Sequence, residues 1–70
     1  MNINVFKSEL ALHGMKMSEL AGVLQISKTA LYRKASGKSE FTRREIMTIV
    51  QALNLTEGKI IDIFFSQKVA

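Results

Sequence analysis

Two short helical patterns joined by a tight turn occupy residues 17–37, and no other segment limits the fold as strongly. The first pattern predicts a helix over 17–24. Ser27 is a favourable N-cap for a second helix that continues to about Ser36 and ends at Gly37. We expect the first of these helices to bury Leu20, Ala21, Val23 and Leu24. Helices of this length are stable only when they pack on one another, so the segment requires a compact helical core around it.

A further helix is predicted on the N-terminal side of this segment, over about residues 4–13. The apolar residues expected on its buried side are Ile3, Val5, Phe6, Leu10 and Leu12. Gly14 follows and can end the helix in the left-handed conformation, which glycine adopts without steric strain. The chain therefore enters the central segment from a helix of its own.

Two more helices are predicted on the C-terminal side. Thr42 and Glu45 form the capping box Thr-x-x-Glu, a typical helix start, and the apolar residues at helical spacing behind it are Ile46, Ile49, Val50 and Leu53. Thr56 caps a fifth helix, whose apolar residues are Ile60, Ile61, Ile63, Phe64 and Phe65. We therefore predict an all-α fold, a single compact five-helix domain over residues 1–70.

Length and cysteine content restrict how this core can be stabilised. The chain has 70 residues and no cysteine, so neither disulfide bonds nor thiolate metal sites can reinforce it. No apolar run is long enough to span a bilayer, and the N-terminus lacks a basic-then-apolar signal pattern. We expect a soluble cytoplasmic protein without membrane contact, stabilised by helix packing.

Positive charge is concentrated in one segment. The net charge is +4, yet residues 28–44 alone carry six basic residues and one acidic residue, Glu40. The six are Lys28, Arg33, Lys34, Lys38, Arg43 and Arg44. A basic surface confined to one segment is typical of a nucleic-acid-binding protein, although a solvated helix face rich in lysine and arginine is the alternative.

The helix after Ser27 separates into two faces on a helical wheel. Leu31 and Ala35 lie on the face expected to pack on the core, and the polar face carries Lys28, Thr29, Tyr32, Arg33 and Ser36. Arginine and lysine can donate to guanine O6 and N7, and a threonine methyl can contact thymine. Ser27 and the first N–H groups of the helix can bind a phosphate. This is the layout of a helix-turn-helix, whose second helix enters the major groove.

With these residues the chain resembles the Cro/C1-type (XRE) helix-turn-helix family of phage repressors, over about residues 3–65. Ala21, Ile26, Leu31 and Gly37 match the family's small, buried and helix-ending positions. The resemblance implies a lambda-repressor-like DNA-binding domain. It implies that Lys28, Thr29, Tyr32 and Arg33 face the bases of double-stranded DNA. It places Met17, Ser27, Lys38, Arg43 and Arg44 near phosphates.

The runs LYRKASGKSEFTRREI and IFF are also similar to short phage proteins of Gram-positive hosts that act on the lytic side of lysogeny switches. Some of those proteins are Cro-like repressors, and others resemble a modulator of repression that binds the main phage repressor. The resemblance implies a location in the cytoplasm of a host bacterium.

Three departures from the family pattern stand out. Gln25 takes the turn position usually held by glycine, which predicts backbone strain of roughly 1 kcal/mol. Met17 replaces a polar residue that often contacts a phosphate, and Lys34 replaces an apolar residue on the packing side and is expected to extend to solvent.

Nothing in the sequence indicates catalysis. The sole histidine, His13, lacks neighbouring metal ligands, and no glycine-rich phosphate loop is present. We therefore predict no enzymatic activity, no catalytic residue, no metal and no cofactor.

Two functions remain open at this point. The first is a transcriptional regulator that binds a palindromic operator as a homodimer. The second is an antirepressor that forms a heterodimer with a phage repressor, through apolar residues left exposed on the fifth helix. For such a protein interface we predict Ile63 and Phe65.

Overall fold

The computed structural model describes residues 1–65, which form five helices and no strand. The helices are α1 (Ile3–Leu12), α2 (Met17–Leu24), α3 (Lys28–Ala35), α4 (Arg43–Ala52) and α5 (Glu57–Phe64). The all-α prediction is confirmed, and the predicted helix bounds agree to within one or two residues. No helix in the described part of the chain has the length and apolarity of a membrane span.

Side-chain caps explain where the helices begin. The Ser27 hydroxyl accepts the Ala30 N–H at 3.0 Å, and the Thr56 hydroxyl accepts the Lys59 N–H at 3.3 Å. At the start of α4 both bonds of the predicted capping box are present. The Glu45 N–H donates to the Thr42 hydroxyl at 3.1 Å, and the Thr42 N–H donates to the Glu45 carboxylate at 2.8 Å. These caps satisfy N–H groups that have no partner inside a helix, so short local motifs determine the helix starts.

Left-handed residues separate the helices. Gly14 and Gly37 follow α1 and α3 with φ angles of 62° and 89°. Gln25 follows α2 with φ 59° and ψ 38°, as predicted, although it carries a Cβ. The Ile26 N–H donates to the Ala21 carbonyl at 3.0 Å and closes this turn. The turn between α2 and α3 is therefore hydrogen-bonded but strained at Gln25.

The core receives a large buried side chain from each helix or from its C-cap. These residues are Phe6, Leu20, Leu31, Ile49, Leu53 and Ile63, and each has no more than 1% of its surface exposed. Helix α2 packs on α3 and α4, and α1 packs on α5. The Asn2 N–H donates to the Ile63 carbonyl at 2.8 Å, which joins the start of α1 to α5. The fold thus consists of a central α2–α3–α4 unit and an α1–α5 pair that share one core.

Three predicted placements are wrong. Leu12 is 76% exposed because it lies on the side of α1 away from Leu10, and Val23 is 49% exposed because α2 turns Leu20 and Ala21 inward instead. Ile63, predicted to be an interface residue, is fully buried. Its position on α5 faces the core, and the apolar side chains that α5 and its C-cap expose are Ile61 and Phe65.

The strained turn gives the first prediction. The substitution Gln25→Gly should raise the free energy of unfolding by about 0.5–1 kcal/mol, because relief of the left-handed strain exceeds the entropy that glycine adds to the unfolded chain. Urea denaturation measures this change. The matched control is Gln51→Gly on the exposed side of α4. It should lower the free energy of unfolding by about 0.5–1 kcal/mol, because glycine disfavours the helical conformation of that residue. Destabilisation by both substitutions would show that the turn at Gln25 carries no strain.

Candidate nucleic-acid interface

Helix α3 presents its polar residues to solvent. Lys28, Thr29, Tyr32 and Arg33 are all exposed, whereas Leu31 and Ala35 on the opposite face are buried. The division into two faces predicted from the sequence is therefore present in the structure. The buried pair packs on the core and directs the four polar side chains outward, so they can contact a macromolecule without any rearrangement of the helix.

The first turn of α3 offers unpaired backbone donors. The Leu31 N–H makes the first bond within the helix, to the Ser27 carbonyl at 3.0 Å, and the Ala30 N–H is used by the Ser27 cap. The N–H groups of Lys28 and Thr29 precede these bonds and have no carbonyl partner within the helix. Together with the positive end of the helix dipole, they suit an anionic oxygen such as that of a phosphate.

A cation–π contact organises the polar face. The Lys28 ammonium lies 6.0 Å from the centroid of the Tyr32 ring, one helical turn along α3. At exposed sites such contacts are worth about 0.5–1 kcal/mol. The contact places the lysine charge beside the Tyr32 ring, on the polar face of α3.

The end of α3 ties the following loop to Arg33. The Lys38 N–H donates to the Arg33 carbonyl at 2.9 Å, and the Ser36 hydroxyl donates to the same carbonyl at 3.1 Å. Gly37 supplies the positive φ that this reversal of the chain requires. Lys38 is exposed, so its charge stands beside the last turn of the polar helix.

Two exposed arginines begin α4. Arg43 and Arg44 lie in the first turn, at the positive end of the helix dipole, where a cation is unfavourable. Arg44 also lines a cleft of about 390 Å³ between the end of α2 and the start of α4, together with Gln25 and Thr42. An anion bound near this turn would offset the charge of both arginines.

Lys34 is withdrawn from the basic surface by an ion pair that the sequence did not indicate. Its Nζ lies 2.6 Å from Glu45 Oε1 and 2.7 Å from Oε2, and both side chains are largely buried. The expectation that Lys34 extends to solvent is therefore wrong. Burial raises the pKa of Glu45, but the hydrogen bond from Lys34, the bond from the Thr42 N–H and the lysine charge outweigh it, so the pKa lies below its usual value.

Met17 does not join the polar surface. Its side chain is only 9% exposed and belongs to the core cluster beside Leu20, so the predicted phosphate contact through this side chain has to be corrected. An apolar thioether at the first position of α2 packs inward.

The other predicted residues are exposed: Ser27, Lys28, Thr29, Tyr32, Arg33, Lys38, Arg43 and Arg44. Within residues 1–65, no group of three histidine or carboxylate side chains is placed to bind a metal ion.

Comparison with known proteins gave one match. A family model described as a Cro/C1-type HTH DNA-binding domain matches residues 6–66, which is most of the chain. The comparisons with curated proteins and with solved structures gave no match. The matched range includes the polar face of α3 and both basic segments that follow it.

The Lys34–Glu45 pair predicts a dependence of stability on pH. The pKa of Glu45 is lower in the folded state than in the unfolded state. The pair therefore contributes its full stabilisation above the unfolded pKa of about 4.3, and this stabilisation is lost as the pH falls through the pKa of the folded state. Glu45→Gln should therefore lower the free energy of unfolding by about 1–2 kcal/mol at pH 7, and by less at pH 3. Urea denaturation at both pH values measures this. The control Glu57→Gln, on an exposed residue of α5, should show little change at either pH, and an equal loss at both pH values for Glu45→Gln would contradict the role of its charge.

Proposed function

Since the chain belongs to the family of Cro/C1-type helix-turn-helix DNA-binding domains, we propose that α3 enters the major groove of an operator and reads its bases. Family membership implies binding to double-stranded DNA and regulation of transcription, and the family is typically non-enzymatic. The observation that carries the proposal is the exposed polar face of α3, with backbone N–H groups free at its start and the exposed Lys38 after its end.

Each side chain of this face has a distinct proposed role. Arg33 and Lys28 donate to O6 and N7 of guanine, and the Thr29 methyl contacts thymine. Tyr32 stacks on a sugar or donates to a phosphate. Thr29 and Lys28 lie at the N-terminal end of α3, the end that reaches deepest into the groove in this motif.

Phosphate contacts complete the proposed interface. Ser27 and the first N–H groups of α3 bind one phosphate, while Lys38, Arg43 and Arg44 bind neighbouring phosphates. The position of two arginines at the start of α4 supports this role. The helix dipole repels a cation there, and a bound phosphate would offset that repulsion.

The biological setting we propose is the switch between lysis and lysogeny of a phage. This proposal rests on the similarity of the sequence runs around α3 and at the end of α5 to short proteins of such switches.

The alternative is an antirepressor that binds and inactivates the cognate phage repressor, with little DNA binding alone. Exposed apolar side chains at Ile61 and Phe65 favour that alternative, since each is more than half exposed.

One experiment separates the two functions. Duplexes bound from a random DNA pool at near-physiological salt are selected and sequenced. An enriched palindrome is expected if the chain reads DNA by itself. Weak, salt-sensitive retention without enrichment would overturn the reader mechanism and favour the antirepressor, which should then co-purify with the repressor.

Arg33 provides a specific test of base reading. Arg33→Ala should weaken binding to the selected operator by about 1–3 kcal/mol and relax the preference at one base pair. The measurement is a titration of operator and scrambled duplexes by fluorescence anisotropy. Lys7→Ala is the matched control, because Lys7 is an exposed cation on α1, outside the basic segment. Unchanged operator affinity for Arg33→Ala would refute its role as a base reader.

Lys38 should behave differently from Arg33. A residue that contacts only phosphate contributes equally to all sequences, so Lys38→Ala should weaken operator and scrambled duplexes by the same factor. The slope of log affinity against log salt should also fall in magnitude by about 1. Loss of affinity for the operator alone would show instead that Lys38 reads a base.

A further inference from the structure

One carboxylate joins the end of α3 to the start of α4. The Lys34 ammonium donates to Glu45 Oε1 at 2.6 Å and to Oε2 at 2.7 Å, and the Thr42 N–H donates to Oε1 at 2.8 Å. Lys34 lies in the last turn of α3, and Thr42 is the N-cap of α4. Only 17% of the Lys34 side chain and 13% of the Glu45 side chain are exposed. Charged hydrogen bonds that are shielded from water are stronger than neutral ones, so the link restrains both helices.

This link lies between the groups that the proposed function assigns to bases and to phosphates. Arg33, a proposed base reader, directly precedes Lys34 on α3. Arg43 and Arg44, two of the proposed phosphate contacts, stand in the first turn of α4. The Lys38 N–H donates to the Arg33 carbonyl at 2.9 Å, so the loop between the helices is bonded to the same end of α3. The ion pair therefore helps to set how far the base reader lies from the phosphate contacts.

The remaining contacts of α3 define this distance weakly. The buried residues of the helix are Leu31 and Ala35, and α3 packs on α2. Apolar burial has no preferred direction, so a helix held by one narrow apolar contact can tilt about it, whereas hydrogen bonds have a preferred length and angle. The Lys34 side chain is itself largely enclosed by protein. It therefore acts on a bound duplex through the position of the helix and not by direct contact.

We propose that Lys34 and Glu45 are positioning residues for the reading of DNA sequence, which hold α3 at a fixed distance and angle from the start of α4. The inference rests on the proposed function of α3. Phosphate contacts orient a protein on the duplex, and base contacts then discriminate between sequences. Without the ion pair, these two sets of contacts are no longer held in register. The chain should then keep its general attraction to DNA and lose part of its preference for the operator.

Net charge alone predicts a different result, which allows a sharp test. Glu45→Gln removes a negative charge from the basic segment, while the glutamine oxygen can still accept the Thr42 N–H of the capping box. If the pair affected DNA only through its charge, this variant would bind operator and scrambled duplexes more tightly than the wild type. If the pair positions α3, the ratio of operator affinity to scrambled-duplex affinity should fall by about fivefold or more.

A double substitution removes the ion pair without a change of net charge. Lys34→Met together with Glu45→Gln should lower the affinity ratio by about fivefold or more and leave scrambled-duplex affinity within about twofold of the wild type. Lys34→Arg keeps a cation that can donate to both carboxylate oxygens, so it should retain the ratio. The matched control is Lys59→Met with Glu9→Gln, which removes the 3.6 Å ion pair between α5 and α1 and should also leave the ratio unchanged. Titrations of the full chain by fluorescence anisotropy measure both affinities.

A measurement without DNA tests the position of α3 separately. In the free chain, amide hydrogen exchange of Lys38, whose N–H is bonded to the Arg33 carbonyl, should become about tenfold faster in the double variant. The rate is compared with that of the Leu53 N–H, which is bonded to the Ile49 carbonyl in the core and reports global unfolding. The control variant should show no such difference.

Two results would overturn the positioning role. One is an affinity ratio in the double variant equal to that of the wild type. The other is an equal loss of affinity for both duplexes that matches the loss of folded chain in urea denaturation, since that would assign the pair to stability alone. A wild-type chain without operator preference would count against the proposed function. In that case an unchanged relative exchange rate of Lys38 would overturn the positioning role, and a faster one would support it.

Discussion

The burial of Leu31 is the interaction on which the polar surface depends. Helix α3 has eight residues, and only Leu31 and Ala35 are buried in the core. Burial of one such leucine contributes about 1.5–3 kcal/mol. The helix is therefore held by a narrow apolar contact with the core and with α2, and its remaining surface is free to be polar. The ion pair between Lys34 and Glu45 adds a second attachment to α4 and restrains rotation of α3 about its axis.

Electrostatics divides the basic segment into two parts. The Lys34 ammonium is paired within the fold, because it donates hydrogen bonds to both carboxylate oxygens of Glu45. The charges of Lys28, Arg33 and Arg43 remain exposed. Arg43 and Arg44 are poorly placed for helix stability, since they stand at the positive end of the α4 dipole. Residues that disfavour folding are expected on surfaces that bind a partner, and the two arginines at the start of α4 are residues of this kind.

The helices could be predicted from the sequence because their signals are local. Ser27, Thr42 and Thr56 cap the N–H three residues ahead, and the spacing of Leu31 and Ala35 identifies the inner face of α3. The exposed positions of the proposed DNA-reading residues followed from the same pattern. The Lys34–Glu45 contact could not be foreseen, because its partners are 11 residues apart and meet only once α3 and α4 are packed. The burial of Met17 and Ile63 likewise depends on how far α2 and α5 rotate about their axes, which a helical pattern with apolar residues on several sides does not specify.

The hydrogen bond between the Asn2 N–H and the Ile63 carbonyl brings the two ends of the described chain together. Met1 and Phe65, which flank this bond in sequence, both line a groove of about 460 Å³ beside the loop between α3 and α4. A polypeptide joined to Met1 would begin at the lining of that groove. An affinity tag or a fluorescent label at the N-terminus would therefore change this surface before it changed anything at α3.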